Sequence, residues 1–126
     1  MRLLLDTHVL LWWLAGSPSL GDQARELIAD PENAVFISAV TLWEIWLKES
    51  LGKLTVPASF EEQLAAEPFQ SLPLTGKHAR QVALLPWRHR DPFDRMLVAQ
   101  AQAEELMLLT ADAMLAPYGA FIRVMR

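Results

Sequence analysis

Arg2-Leu3-Leu4-Leu5-Asp6-Thr7-His8-Val9-Leu10-Leu11-Trp12-Trp13-Leu14-Ala15-Gly16, residues 2–16, decides the fold class. Leu3, Leu4 and Leu5 form an apolar run too short for a helix and without polar alternation, which predicts a strand covered on both faces and ending at Asp6. Val9 to Ala15 is almost wholly apolar and predicts a helix that stops at Gly16. A doubly covered strand feeding directly into a helix is the first half of a parallel βαβ unit.

The rest of the chain repeats that alternation. Asp22 is a candidate N-cap for a helix over Gln23 to Ala29, closed by Pro31. Ala34 to Ile37 predicts a second strand, and Ser38 is placed to cap a helix from Ala39 to Leu51 that Gly52 ends. Ser59 is a candidate cap for a short helix from Phe60 to Ala66. Phe69 to Leu74 predicts a weak strand interrupted by Pro73, and Thr75 is set to cap Gly76 to Leu84. Asp91-Pro92 starts a helix through Phe93 to Glu105, because proline fits the first helical position. Leu106 to Leu109 predicts a fourth strand, a turn at Thr110-Ala111-Asp112 leads into a short helix ending near Pro117, and Ala120 to Val124 predicts a fifth. Such a pattern gives an α/β fold, a mostly parallel sheet with helices on both faces, and places any site at the carboxyl ends of the strands where their order reverses.

Composition narrows the chemistry. With 126 residues, 52% hydrophobic and 21% charged, the chain is expected to form a single domain spanning 1–126. The absence of cysteine removes disulfides, thiolate zinc sites and cysteine nucleophiles together, and suits a reducing, cytoplasmic setting. The three histidines, at 8, 78 and 89, form no evident triad with a serine. Asp6, Thr7 and His8 split the opening apolar run, which falls short of the roughly 20 residues a membrane span needs, so the expectation is a soluble, unprocessed chain. The net charge of −4 disfavours nucleic acid as a partner unless basic groups are gathered locally.

Four acids lie at the ends of this layout: Asp6 after the first strand, Glu44 in the second turn of the helix after strand two, Asp94 in the first turn before strand four, and Asp112 just past strand four. Each has an ordinary explanation. Asp6 and Asp112 could cap helices, Asp91 and Asp94 could be a cap with a favourable first-turn acid, and Glu44 could pair with Lys48 on a polar stripe with Thr41. Together they raise another prospect, since carboxylates converging at one sheet end repel one another unless a cation keeps them ionised. Oxygen donors without cysteine favour Mg²⁺, with Mn²⁺ able to substitute, and one or two such ions suit phosphodiester hydrolysis. Setting the four acids aside leaves eleven acids against eleven Lys and Arg, so the remaining surface is about neutral. Arg88, Arg90 and Arg95, with His89, flank the Asp91–Asp94 turn and are candidate RNA phosphate contacts. Trp12, Trp13, Trp43 and Trp46 read as core and as the face of a homodimer, whereas Trp87 is the tryptophan best placed to touch substrate.

The segments LLLDTHVLLWWL, ISAVTLWEIWLKESLGKL, LPLTGKHA, DPFDRMLVAQAQAE and LLTAD, in this order over nearly the whole chain, resemble PIN-domain ribonucleases of the VapC toxin type. The resemblance implies a three-layer α/β/α sandwich, Mg²⁺- or Mn²⁺-dependent cleavage of RNA, and inhibition by a VapB-type antitoxin whose tail enters the active-site groove. By position it assigns catalytic and metal-holding roles to Asp6, Glu44, Asp94 and Asp112. Thr7 and Thr110 become supporting hydroxyls, and Asp91 an additional acid of less defined role. Three other readings remain. One is a housekeeping RNA-processing nuclease with the same chemistry and no antitoxin. Another is a phosphate-accepting signalling receiver, disfavoured because Lys48, Lys53 and Lys77 all lie far from the last strand. The third is a non-catalytic acidic pocket that receives a partner's basic side chains.

Overall fold

The computed structural model describes residues 1–125. A five-stranded, wholly parallel sheet is built from β1 (Arg2–Leu5), β2 (Ala34–Ser38), β3 (Gln70–Leu72), β4 (Met107–Thr110) and β5 (Ile122–Val124), in the order β3-β2-β1-β4-β5. The opening leucines form the central strand. Leu3 lies opposite Val35 on one side and Met107 on the other, and Leu4 opposite Phe36 and Leu108.

Alternation along the strands divides the interior into two cores. Leu3, Leu5, Val35, Ile37 and Leu109 face α1 (Thr7–Ala15), α2 (Asp22–Ala29), the inner side of α3 (Ala39–Ser50) and α4 (Phe60–Ala65). Leu4 and Leu108 point the opposite way, into a core with Leu97, Val98 and Ala101 of α6 (Pro92–Glu104) and with Leu115 and Ile122. The helix α5 (Gly76–Leu84) packs on α6. Helices therefore cover both faces, as a sheet without an exposed apolar side requires.

Local chemistry explains most boundaries. Asp6 caps α1 by accepting from the Val9 N–H at 2.9 Å, and Gly16 ends that helix in the left-handed region at φ 61°. Ser38 caps α3 through the Val40 N–H, Asp91 caps α6 through Phe93 and Asp94, and Thr75 with His78 forms a reciprocal box at the start of α5. Two expected caps are corrected. Asp22 is the first helical residue of α2, with Gly21 at the cap, so its charge acts on the helix dipole rather than on an orphan N–H. Ser59 precedes α4 but makes no side-chain bond to its backbone; its Oγ accepts from Gln63 Nε2 instead. The third strand is shorter than Phe69–Leu74, because Pro73 cannot donate to a ladder. The fourth is shifted one residue to end at Thr110. The fifth begins at Ile122. The segment Ala113–Tyr118 is a 3₁₀ turn that contains Pro117.

Among the described residues, no helix is long and apolar enough to cross a membrane. The tryptophans differ in burial. Trp12 and Trp13 are half-buried, but Trp43 is 58% exposed and Trp46 is at the surface too, so the outer face of α3 is not core.

Candidate metal centre

Strand order reverses between β1 and β4, because the chain builds leftward from β1 through β2 and β3 and then returns to the other side of β1. In an open parallel sheet that reversal leaves a crevice at the strands' carboxyl ends. Asp6 and Thr110 are brought there together by the β1–β4 pairing, which sets Leu5 opposite Leu109. Asp6, Glu44, Asp91, Asp94 and Asp112 all line one open cleft of about 340 Å³, with His8, Trp12 and Lys48 on its walls. Asp6, Glu44, Asp94 and Asp112, which come from four separate parts of the sequence, thus share one space with Asp91.

For Asp6 and Asp112 the ordinary role and the shared space coexist, since each makes its cap bond with one oxygen only. Asp6 accepts the cap bond on Oδ1 and a hydrogen bond from the Thr110 hydroxyl on Oδ2. Thr110 Oγ1 also accepts from the Asp112 backbone N–H at 3.0 Å, linking the first acid to the last. Asp112 caps the 3₁₀ turn with Oδ1, through the Met114 N–H, and directs Oδ2 at His89 Nε2, 3.2 Å away. Glu44 is buried; its Oε1 accepts from the Thr7 hydroxyl at 2.7 Å and its Oε2 from the Lys48 ammonium. Thr7 also lies 3.3 Å from the Thr41 hydroxyl. Asp91 uses Oδ1 for the α6 cap.

Electrostatics mark Asp94. Its carboxyl is pushed up to about 7, first by burial and then by the neighbouring Asp91, Asp6 and Glu44 carboxylates. Asp6 is likewise raised, mainly by burial, with Glu44 adding to the repulsion and the bonds from Thr110 and Val9 opposing it. The ammonium of Lys48 is raised, chiefly by its bond to Glu44. A donor set of carboxylate oxygens, crowded enough that one member holds its proton near neutrality, fits a hard divalent cation. Asp94, Asp112 and His89 each bring one potential ligand atom to within 4.8 Å of the others.

Of the arginines expected beside RNA, Arg88 and Arg90 are exposed. Arg95 is corrected: it is 4% exposed, lies flat against Trp87 at 3.7 Å, and gives its N–H groups to the carbonyls of Val82, Leu85 and Pro86 and to the Tyr118 hydroxyl. Four of the guanidinium's five N–H groups are thus taken by the protein itself, which ties the segment after α5 to the body of the fold. Sequence reasoning treated His89 only as part of a basic loop. The signal lay in its place two residues ahead of a cap aspartate, where the turn folds the imidazole back over the Asp91 N–H.

The PIN-domain family model matches residues 3–119. The chain is 30% identical over 112 residues to Ribonuclease VapC22 of Mycobacterium tuberculosis, an alignment spanning 86% of this chain and 85% of that protein. Among solved structures, it superposes on VapBC2 from Rickettsia felis, bound to a DNA fragment from their promoter, with a TM-score of 0.74 at 16% identity and full coverage of both chains. VapBC-5 of Mycobacterium tuberculosis, a member of the VapBC family of toxin–antitoxin systems, gives 0.61 at 22% identity over 99% of this chain and 98% of that one. FitAcB from Neisseria gonorrhoeae gives 0.67 at 20% identity, covering 98% and 96%.

Proposed function

Since the chain belongs to the PIN-domain family, we propose that it is a divalent-metal-dependent endoribonuclease acting as the toxin of a toxin–antitoxin pair. The observation that carries this reading is the gathering of Asp6, Glu44, Asp94 and Asp112 in one cleft at the β1/β4 switch point, where burial and the neighbouring carboxylates push the Asp94 carboxyl up to about 7. Support for RNA as substrate comes from the ribonuclease relative at 30% identity.

In this reading Asp6, Glu44, Asp94 and Asp112 hold the cation, Mg²⁺ or Mn²⁺. When bound, the ion supplies Lewis acidity toward a phosphoryl oxygen and lowers the pKa of water. The protein's own groups provide the rest. Thr110 orients Asp6 and the backbone of Asp112 at once, Thr7 orients Glu44, and the Asp91 cap fixes the first turn of α6, which carries Asp94. Arg88 and Arg90, free at the surface, are the groups for RNA phosphates; Arg95 is not among them.

The toxin assignment draws on the VapBC complexes this fold resembles, and it makes a VapB-type antitoxin the partner whose tail enters the groove. A homodimer is part of the same reading. Trp43, Leu74 and Trp87 are exposed around an apolar groove of about 330 Å³ between α3, α5 and α6.

The test is digestion of total RNA by antitoxin-free protein, with Mg²⁺ and with excess chelator, alongside Asp6→Asn and Asp94→Asn. Cleavage by the wild type only with metal, and none by either folded variant, is expected. Equal cutting in chelator overturns the metal mechanism. A housekeeping nuclease would pass that assay yet lack a co-purifying antitoxin. A receiver would accept a stable phosphoryl label from a small phosphodonor, and a binding module would hold its partner without metal.

A further inference from the structure

His89 sits on the segment between α5 and α6 with its side chain 17% exposed and its ring beside Asp94 and Asp112. Its Nδ1 accepts the Asp91 backbone N–H at 3.1 Å. An imidazole nitrogen that accepts an N–H carries no hydrogen, so the ring's one hydrogen is on Nε2. That Nε2–H points at Asp112 Oδ2 at 3.2 Å, with Asp94 Oδ2 further off at 3.7 Å.

This arrangement is the reverse of a metal-ligating histidine. A ligand imidazole turns a bare nitrogen to the ion and donates its other N–H to a carboxylate or carbonyl. Here the nitrogen turned to the Asp91 backbone meets a donor, and the nitrogen turned to Asp112 carries the hydrogen. We infer that His89 is a positioning residue, locked by the Asp91 N–H into the tautomer that donates from Nε2 and holds Asp112 Oδ2 in place for the cation, without ligating it. The inference rests on the metal-site reading above. Asp112 needs such a partner: its side chain is 40% exposed, and its cap bond to Met114 engages only Oδ1. With His89 on Oδ2 the carboxylate is held at both oxygens and cannot swing out into solvent.

The claim predicts an ordered set of variants. His89→Gln retains a donor near the Nε2 position, whereas His89→Asn reaches only the Nδ1 side and His89→Ala neither. Mn²⁺ affinity, measured by calorimetry on the full chain, is expected to fall roughly 10- to 100-fold in His89→Ala and His89→Asn, the range for loss of a partner behind a metal ligand, and to be largely kept in His89→Gln. In the metal-free protein, ¹⁵N chemical shifts of the His89 ring should report the Nε2–H tautomer. Pulsed electron resonance on the Mn²⁺-loaded wild type should show no directly coordinated nitrogen. A coordinated nitrogen, the opposite tautomer, or unchanged affinity in His89→Ala overturns the inference alone. A wild type that binds no Mn²⁺ overturns both it and the metal-site reading. Normal metal binding with the expected variant order but no RNA cleavage leaves the inference standing and removes the nuclease assignment.

Discussion

Asp94 couples the fold's stability to pH. Its folded-state pKa of about 7 lies above the ordinary aspartate value, so between about pH 4 and 7 the folded chain keeps a proton the unfolded chain has lost. Stability from this group is therefore fully present below pH 4 and is lost as pH rises through 7. In chelator, Asp94→Asn should melt several degrees above wild type at pH 8 and close to it at pH 4, while losing Mn²⁺ binding; equal melting temperatures at pH 8 would show that no such repulsion exists. Lys48 is the resident counter-charge of the same cleft, bonded to the buried Glu44 and close enough to Asp91 and Asp94 for both to raise its pKa. Lys48→Met should lower the metal-free melting temperature, because Glu44 is left buried without its cation, and should tighten Mn²⁺ binding several-fold by removing a competitor. Calorimetry and melts with and without metal read both signs.

At the scale of elements, the acids stand where they do because they are also structural. Asp6 and Asp112 each use one oxygen as a cap, and that bond orients the other. Sequence could identify each cap and each acid, since capping depends on the residues nearest in the chain. It could not reveal that Thr110 binds Asp6 and the Asp112 N–H together, because that depends on the lateral pairing of β1 with β4, more than a hundred residues apart. Arg95 misled for the same reason: the carbonyls and the Tyr118 hydroxyl that absorb it come from the end of α5, the following loop and the 3₁₀ turn. Asp91 separates the two roles in one position. Asp91→Ala should cost about 1 kcal/mol by loss of the α6 cap, whereas Asp91→Ser should keep the cap and lower the Asp94 pKa by removing a neighbouring charge. Denaturant melts and an NMR titration of Asp94 check the pair, and an unmoved Asp94 in Asp91→Ser would deny the charge coupling.

At the scale of the whole molecule, the α/β class and element order were legible because the strands are continuous apolar runs and the helices carry caps. The ends of β3 and β5 were not, since edge strands with few partners leave little trace in hydrophobic pattern. The exposed face of Trp43, Leu74 and Trp87 belongs to this scale as well. Leu74→Glu places a charge on that rim outside any helix, and should convert the proposed dimer to monomer in sedimentation equilibrium without a loss of melting temperature at low protein concentration. A wild type already monomeric would remove the dimer from the reading. The central position of β1 carries one more consequence. It is flanked on one side by residues 34–36, made soon after it, but on the other by residues 107–109, made much later. Until Thr110 has been made, Asp6 lacks its hydroxyl partner and the cleft has no far wall. On the nuclease reading proposed above, a nascent chain therefore cannot cut the RNA around it until the β4 end of the cleft has been made.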